Sequence, residues 1–222
     1  MYIYIAAVVF FLILFVVLII FALPELSPVP YFPSNKKDLP LILKALSLKN
    51  GQTVIDLGAG DGVIIFEAAM MTYKKKLSTR FIAVELNPVL ILIMNLRKSF
   101  HPNKKNIIIV QGDMFKINVK NILMTGGRVE GKRHAPKRSN DGRTAEGFNP
   151  LTRELVNPLT CYYLYISPWF MERVFYNIKK TCKHFTLVSY FYPLPPGIKR
   201  PTKKVKGIHD IYTYEQSPRH RS

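Results

Sequence analysis

The chain has 222 residues and a formal net charge of +18 at pH 7, from 32 Lys and Arg against 14 Asp and Glu. A positive field of this size favours an anionic membrane leaflet, nucleic acid or an acidic partner, without choosing among them. Only two cysteines are present, which excludes a disulfide framework and fits a reducing compartment. We interpret Cys161 and Cys182 as packing residues rather than catalytic ones.

The first 23 residues form an apolar segment without a charged side chain. As a helix they would extend roughly 33 Å at ~1.5 Å per residue, long enough to cross the hydrocarbon core of a bilayer. A cleaved signal peptide is the competing interpretation, but the segment lacks a basic start and a small-x-small cleavage site before Pro24. We therefore predict a transmembrane anchor over residues 1–23 and a stiff Pro-rich linker over residues 24–34.

Charge also predicts which side of the membrane the rest of the chain occupies. No Lys or Arg precedes the apolar segment, whereas Lys36 and Lys37 follow it closely. The positive-inside rule then places the remaining residues in the cytoplasm, or in the mitochondrial matrix if the source is mitochondrial.

Residues 35–215 have the length and patterning of one α/β domain, followed by a basic tail at 216–222. Alternating apolar runs and helical stretches predict a doubly wound parallel sheet. The predicted strands cover residues 53–57, 80–85, 107–111, 161–166 and 184–190, with a weaker strand at 208–214. The predicted helices cover residues 35–47, 62–72, 88–99 and 168–181.

Residues 124–158 do not follow this pattern. They hold five of the chain's twelve glycines and five of its eleven arginines, and no Ile or Tyr. The composition predicts a disordered basic insertion between the third and fourth strands. It could grip a substrate or nucleic acid, but we favour a tolerated surface insertion, because it has only Phe148 to stack on bases.

The most informative stretch is residues 53–62, which read Thr-Val-Ile-Asp-Leu-Gly-Ala-Gly-Asp-Gly. A short buried strand carrying Asp56 runs into a glycine turn at Gly58 and Gly60, and an apolar helix follows. This arrangement lets a nucleotide-like ligand lie against bare backbone at the C-terminal edge of a sheet. A dinucleotide-binding turn would need a third glycine at position 63, where Val63 stands.

Two more acids follow the next two predicted strands. Glu85 ends the second, and Asp113, beside Met114, follows the third. With the acid-x-Gly-x-Gly-x-Gly motif, this order resembles the class I S-adenosylmethionine-dependent methyltransferases, whose fold is a Rossmann-like doubly wound sheet. The resemblance implies that the second acid holds the ribose hydroxyls and the third accepts from the adenine amino group. It implies S-adenosyl-L-methionine as cofactor, with these contacts: Asp56, Gly58, Ala59, Gly60, Glu85, Leu86, Asp113 and Met114.

The acceptor side is expected after the fourth strand, at Ser167-Pro168-Trp169. This sequence partly resembles the Asn/Asp/Ser-Pro-Pro-aromatic motif of amino-methyltransferases, but Trp169 replaces the second proline. Trp169 or Phe170 could flank a cationic amine through its ring face. In the alternative interpretation, Pro168 starts a helix and Trp169 packs in the core.

A narrower resemblance rests on four segments in order, behind one N-terminal membrane segment. They are Pro30-Tyr31-Phe32-Pro33-Ser34, Val84-Glu85-Leu86-Asn87-Pro88, Tyr165-Ile166-Ser167-Pro168 and Ile211-Tyr212-Thr213-Tyr214. This order resembles the membrane-anchored protein-lysine methyltransferases of mitochondria, which modify the ATP synthase c subunit or the adenine nucleotide translocase, and their prokaryotic relatives. The resemblance implies that Tyr31, Pro33 and Ser34 lie over the cofactor. It also implies N-methylation of a lysine in a membrane-associated protein.

Two other functions stay open at the level of sequence. One is a methyltransferase acting on a small or lipid-like molecule or on nucleic acid, which would share every cofactor residue. The other is a non-catalytic, membrane-tethered binding protein, although the intact acids argue against it. No metal site is predicted and no general base is assigned: Asp61 could face cofactor or acceptor, and the scattered histidines are interpreted as surface or satisfied residues, namely His101, His134, His184, His209 and His220.

Overall fold

The computed structural model describes residues 1–22, 32–117 and 159–217. In chain order, the helices are α1 (Tyr2–Ala22), α2 (Leu39–Leu46), α3 (Val63–Lys74), α4 (Pro88–Ser99) and α5 (Pro168–Thr181), with a 3-10 turn at Lys104–Asn106. The strands are β1 (Thr53–Leu57), β2 (Arg80–Glu85), β3 (Ile107–Gln111), β4 (Thr160–Leu164), β5 (Phe185–Tyr190), β6 (Lys203–Lys206) and β7 (Asp210–Gln216).

The strands form one seven-stranded sheet in the order β3-β2-β1-β4-β5-β7-β6. Strands β1 to β5 are mutually parallel, as predicted. The prediction of a wholly parallel sheet is wrong at one edge, because β7 is antiparallel to both β5 and β6. Only residues 207–209 separate β6 from β7, and a connection this short joins antiparallel neighbours.

Most predicted elements match the structure closely, and the departures have local causes. Helix α2 begins at Leu39 rather than at residue 35, because Pro40 is accommodated only in the first helical turn. Strand β6 was missed, since its sequence Lys-Lys-Val-Lys has no apolar run. Its lysines suit an edge strand, where charge discourages pairing with another chain. Helix α4 begins as predicted, with the Asn87 side chain accepting from the Val89 N–H at 2.9 Å.

Alternation along the strands builds two hydrophobic layers. On β1, Ile55 and Leu57 belong to the layer covered by α5, whereas Val54 belongs to the layer covered by α2, α3 and α4. Both cysteines are buried, with Cys161 at 0% exposure and Cys182 at 7%. Burial raises the pKa of the Cys161 thiol to about 12, so it stays protonated, in agreement with a packing role.

The composition of the chain predicted three further segments: the anchor, the linker and the insertion. Within the described part of the chain, no helix qualifies as a membrane span by length and apolarity. The anchor over residues 1–23 therefore stays a prediction. The predicted insertion at 124–158 lies wholly outside the described residues, and so does the linker at 24–34 apart from residues 32–34.

A buried carboxylate joins the start of the domain to its far edge. Asp38, 1% exposed, accepts from the Tyr190 hydroxyl at 2.8 Å, from the Ile208 N–H at 2.7 Å and from the His209 N–H at 2.9 Å. Burial alone would raise the pKa of Asp38, but these hydrogen bonds outweigh it and hold the pKa below its usual value. The segment before α2 is thus fixed to the end of β5 and to the β6–β7 turn.

Replacing Asp38 tests this junction. We expect Asp38→Ala to lower the free energy of unfolding by about 3 kcal/mol, because three buried donors lose a charged acceptor. Tyr190→Phe, which removes one hydroxyl donor, should cost about 1 kcal/mol. Since the Asp38 pKa is depressed in the folded state, its stabilisation is present above the unfolded pKa and is lost as pH falls through the folded pKa. Urea unfolding at several pH values measures the free energy of unfolding of the wild type and of both variants. If the difference between the wild type and Asp38→Ala stayed constant as the pH fell into the acid range, the assignment would be contradicted.

Candidate functional site

A cleft of about 750 Å³, including its open mouth, lies at the carboxyl ends of β1, β2, β3 and β4. In open α/β sheets this edge, next to the strand where the order reverses, is where ligands bind. Here the reversal falls at β1, which pairs with β2 on one side and β4 on the other. The lining comes from the β1 turn, the ends of β2 and β3, the β4 end and residues 32–34.

The glycine turn after β1 forms the floor of the cleft. Gly58 and Gly60 adopt φ values of 86° and 59°, in the left-handed region that favours glycine. The N–H groups of Gly58 and Ala59 both donate to the Val84 carbonyl at 2.9 Å, which ties the turn to β2. A Cβ at Gly58 would lie 2.8 Å from Met114 Cε, the end of a flexible side chain that can move, so it is the left-handed backbone that calls for glycine here.

Glu85 holds that turn in place. Its Oε2 accepts from the Gly60 N–H at 2.8 Å, and its Oε1 accepts from the N–H groups of Leu86 and Asn87 at 2.8 and 2.9 Å. The side chain is 7% exposed and lines the cleft. A carboxylate offers about four acceptor positions, so three backbone donors leave about one, on Oε2, for a ligand hydroxyl.

Asp56 is the most unusual group of the site. Its side chain is 2% exposed and lines the cleft, and none of the described residues donates a hydrogen bond to its carboxylate. Burial raises its pKa well above the usual value, and the charges of Glu85 and Asp61 raise it further. A buried acid without a donor favours a cationic ligand group, because a positive charge would offset both the desolvation and the repulsion.

The third predicted acid lies on the opposite wall of the cleft. Asp113 Oδ1 accepts from the Phe115 N–H at 2.8 Å, whereas Oδ2 is 3.6 Å from the ammonium of Lys116. Oδ2 therefore retains capacity to accept from a ligand. Met114, Phe115 and Leu86 line the same wall, so an apolar surface lies beside one free acceptor. This combination suits a flat aromatic ring that carries an amino group.

Residues 32–34 form the wall that comes from the N-terminal side. Phe32, Pro33 and Ser34 line the cleft, and Ser34 Oγ lies 2.9 Å from Tyr163 Oη. Tyr31, which was predicted to lie over the cofactor, is outside the described residues.

Tyr163 and Tyr165 line the cleft. At the level of sequence, Tyr165 was named only as part of a motif, and Tyr163 was not singled out. Tyr163 is 2% exposed, and its Cα is paired in register with Asp56 across β1 and β4. Burial raises its pKa well above the usual value, although the Ser34 hydrogen bond opposes this, and the Asp56 charge raises it further. Tyr163 is therefore a neutral hydroxyl beside Asp56. Its position near the carboxyl end of a predicted parallel strand is the signal that could have found it.

The proposed acceptor motif lies beyond the cleft lining. Pro168 starts α5, with Ser167 at the N-cap position, as the structural interpretation predicted. Trp169 is 80% exposed, so the prediction that it packs in the core is wrong. None of Ser167, Pro168 and Trp169 is among the lining residues of the described cleft, which on this side are Tyr163, Tyr165 and Ile166.

Asp61 faces a protein cation. Its Oδ2 lies 2.7 Å from Arg97 Nη1, and its Oδ1 accepts from the Val63 N–H at 3.2 Å. His101 is satisfied, as predicted: Nδ1 accepts from the Asn103 N–H at 3.1 Å, which leaves Nε2 to donate to a carbonyl. His184 is on the surface, as predicted, whereas His134 and His220 lie outside the described residues.

The comparisons with solved structures identify the fold. An RNA methyltransferase from Salinibacter ruber, in complex with S-adenosyl-L-homocysteine, is 16% identical, with a TM-score of 0.57 over 86% of this chain and 99% of that one. A SAM-dependent methyltransferase from Aquifex aeolicus is 14% identical, with a TM-score of 0.45 over 80% of this chain and 88% of that one. Another, from Geobacter sulfurreducens and also in complex with S-adenosyl-L-homocysteine, is 14% identical, with a TM-score of 0.44; the match covers 80% of this chain and 57% of that chain.

The chain therefore has the fold of the class I S-adenosylmethionine-dependent methyltransferases, a Rossmann-like α/β sheet. No protein-family model matches the sequence, and no curated protein matches it either.

The unpartnered Asp56 predicts an unusual dependence of stability on pH. Because its pKa is raised in the folded protein, the ligand-free form loses stability as pH rises through that pKa. Asp56→Asn should remove this loss, so the free energy of unfolding of the variant, relative to that of the wild type, should increase with pH. Glu172→Gln, at an exposed acid on α5, is the matched control and should keep the pH dependence of the wild type. Chemical unfolding across pH measures the slopes; parallel profiles for wild type and Asp56→Asn would contradict the assignment.

The exposure of Trp169 gives a second test. Trp169→Ala should change the free energy of unfolding by no more than about 0.5 kcal/mol, because the side chain buries little surface. Since Trp169 is the only tryptophan, its emission should be that of an indole in water. Met171→Ala, two residues on and 0% exposed, should cost about 3 kcal/mol and serves as the contrast. Blue-shifted emission in the free protein would contradict the placement.

Proposed function

We propose that this protein is an S-adenosylmethionine-dependent methyltransferase that works at a membrane surface and N-methylates a lysine of a protein. The observation that carries the enzyme class is the buried, donor-free carboxylate of Asp56 at the glycine turn, sharing one cleft with Glu85 and Asp113. The complex of the Salinibacter ruber methyltransferase with S-adenosyl-L-homocysteine supports the choice of cofactor.

The residues of the cleft suit each part of this cofactor. Asp56 would take the ammonium, the free position on Glu85 Oε2 a ribose hydroxyl, and Asp113 Oδ2 the adenine amino group. Met114 and Leu86 would contact the apolar ring. When bound, S-adenosyl-L-methionine supplies an electrophilic methyl group on a sulfonium. The task of the protein is to align an acceptor with that group and to exclude water.

An amine acceptor is supported by the wall on the β4 side. Tyr163, Tyr165 and Phe32 bring aromatic rings to the cleft, and ring faces attract a cationic amine. A lysine must lose its proton before it attacks, and a poorly hydrated site lowers the lysine pKa. The phenol of Tyr163 is kept protonated by burial, so it would position the amine by hydrogen bonding rather than accept its proton.

Nucleic acid is the alternative acceptor. The solvent-exposed indole of Trp169 could stack on a base, and the net charge of +18 would favour a polyanion. The Salinibacter ruber neighbour is an RNA methyltransferase, which agrees with this alternative. A lipid-like acceptor would share the same cofactor contacts, and a non-catalytic binding protein would bind the cofactor without transferring its methyl group.

Binding of the cofactor tests the enzyme class. Asp56→Ala should weaken S-adenosyl-L-methionine binding by about 1–3 kcal/mol through the lost charged contact, and Glu172→Gln should leave it unchanged. Binding to the wild type should strengthen as pH rises through the raised pKa of Asp56, because the ionised form attracts the ammonium. Calorimetry at several pH values measures both effects. A folded wild-type sample that gives no heat would end the proposal.

The acceptor is found by incubating the protein with labelled S-adenosyl-L-methionine and membranes of the source organism. Mass spectrometry of the labelled band should show a methylated lysine. Label in RNA or in the lipid extract, with none in protein, would replace the lysine proposal by one of the alternatives. Asp56→Ala, with its fold checked by circular dichroism, is the negative control, since it should lose the ammonium contact.

The membrane location is proposed from residues 1–23, which carry no charge, with the domain facing the cytoplasm or the matrix. We expect the full chain to stay in the membrane pellet after alkaline carbonate washing. Leu12→Lys combined with Ile13→Lys should release it, because each lysine at a helix centre costs about 2.5–3.5 kcal/mol. Leu12→Ile with Ile13→Leu is the matched control and should stay membrane-bound. Release of the wild type would contradict the anchor.

A further inference from the structure

Helix α4 and the residue after it, Phe100, expose an apolar stripe made of Leu92, Leu96 and Phe100. These side chains are 70%, 63% and 84% exposed. They are spaced four residues apart, so they follow one side of the helix over about 12 Å. Ile93, 39% exposed, widens the stripe. Single exposed apolar residues are ordinary, but an aligned set of this kind marks an interaction surface.

Two lysines follow the α4 stripe in the chain, and we call Lys104 and Lys105 the basic flank. Helix α4 itself contains no acid. Lys104 is held against the end of the helix, since its Nζ donates to the Ser99 carbonyl at 3.2 Å. Lys105 is its neighbour and is also exposed. Apolar and cationic groups therefore share one end of the helix.

This combination favours one kind of occupant. A second copy of the chain would bring two basic flanks together in a protein of charge +18, which is repulsive. Nucleic acid would be attracted by the lysines, but Phe100 is the one aromatic ring of the stripe, and Leu92 and Leu96 cannot stack on bases. An anionic bilayer satisfies both features, because aliphatic side chains enter the interface while lysines meet lipid headgroups.

We propose that the α4 stripe and the basic flank together form a docking surface for an anionic bilayer. Docking does not require α1 to cross the membrane. Its consequence for the cleft rests on the proposed function: α4 begins beside the cleft, where Leu90 is a lining residue, so one helix carries a cleft wall and the bilayer contact. When α4 is docked on the lipid, the cleft lies beside the bilayer surface. The methyl acceptor is then a group that lies close to the lipid headgroups.

A polarity-sensitive fluorophore on Leu96→Cys tests this in the full chain, since both native cysteines are buried and resist labelling. The matched control is Tyr176→Cys on α5, 43% exposed and on the opposite face of the sheet. Vesicles of phosphatidylcholine with phosphatidylserine should blue-shift the Leu96 label only. Pure phosphatidylcholine or high salt should remove the shift. Adding Lys104→Gln and Lys105→Gln should reduce the docked-to-undocked ratio roughly thirtyfold, since each lysine contributes about 1 kcal/mol near an anionic surface.

Several results would overturn the docking surface. One is unchanged emission of the Leu96 label although the protein co-sediments with anionic vesicles. Another is an equal blue shift of the labels at positions 96 and 176. A shift without vesicles that grows with protein concentration would show a second copy instead. A blue-shifted label in dilute, vesicle-free protein would show that another segment of this chain covers the stripe. S-adenosyl-L-methionine binding, measured in the same samples, separates the docking surface from the proposed function. If the Leu96 label does not shift but the cofactor still binds, only the docking surface is rejected.

Discussion

The hydrogen bonds of Glu85 are the constraint on which the cleft depends. A carboxylate at the end of β2 accepts from the Gly60 N–H of the β1 turn and from the N–H groups of Leu86 and Asn87. Because these donors come from two loops, one buried side chain sets the distance between the neighbouring strand ends. The turn is thus organised by the protein itself, and ligand binding does not have to supply the entropy of ordering it. Gly58 and Gly60 follow from the same constraint, since only left-handed backbone brings the turn close enough to β2.

The cleft is lined by acidic side chains, although the chain as a whole is strongly positive. The chain carries +18, yet Asp56 is buried with Glu85 and Asp61 as the charges that raise its pKa. Arg97 pairs with Asp61 at 2.7 Å, and three backbone donors hold Glu85. Asp56 alone has no such compensation within the described residues. Because burial and the two neighbouring carboxylates raise the pKa of Asp56, ionising it costs the folded protein free energy, and acids perturbed in this way cluster at functional sites.

The sequence predicts the cofactor side of the cleft well, for a physical reason. Strands β1, β2 and β3 are fully or largely buried, so each reads as an apolar run with a marked end, and the polar residue after the run falls at the sheet edge. The parallel core places these ends together. Strand β6 gave no such signal, because an edge strand of three lysines and one valine has no buried face. Register is also invisible in the sequence, so the pairing of Asp56 with Tyr163 could not be read from it.

The acceptor side was harder to predict because it depends on tertiary packing. Proline at 168 correctly indicated a helix start, but the spacing could not tell which way the Trp169 indole points. The residues that line the cleft on this side, Tyr163 and Tyr165, come instead from the strand end and the residue after it.

The segment that leads into the domain is part of the site. Ser34 reaches Tyr163 at 2.9 Å, and Asp38 is held by three donors from the far edge of the sheet. Residues 34–38 are therefore held at both ends, and residues 32–34 form a wall of the cleft. A domain cut after residue 38 would lose both the Asp38 junction and the wall that faces Tyr163, so the site is not a module separable from what precedes it.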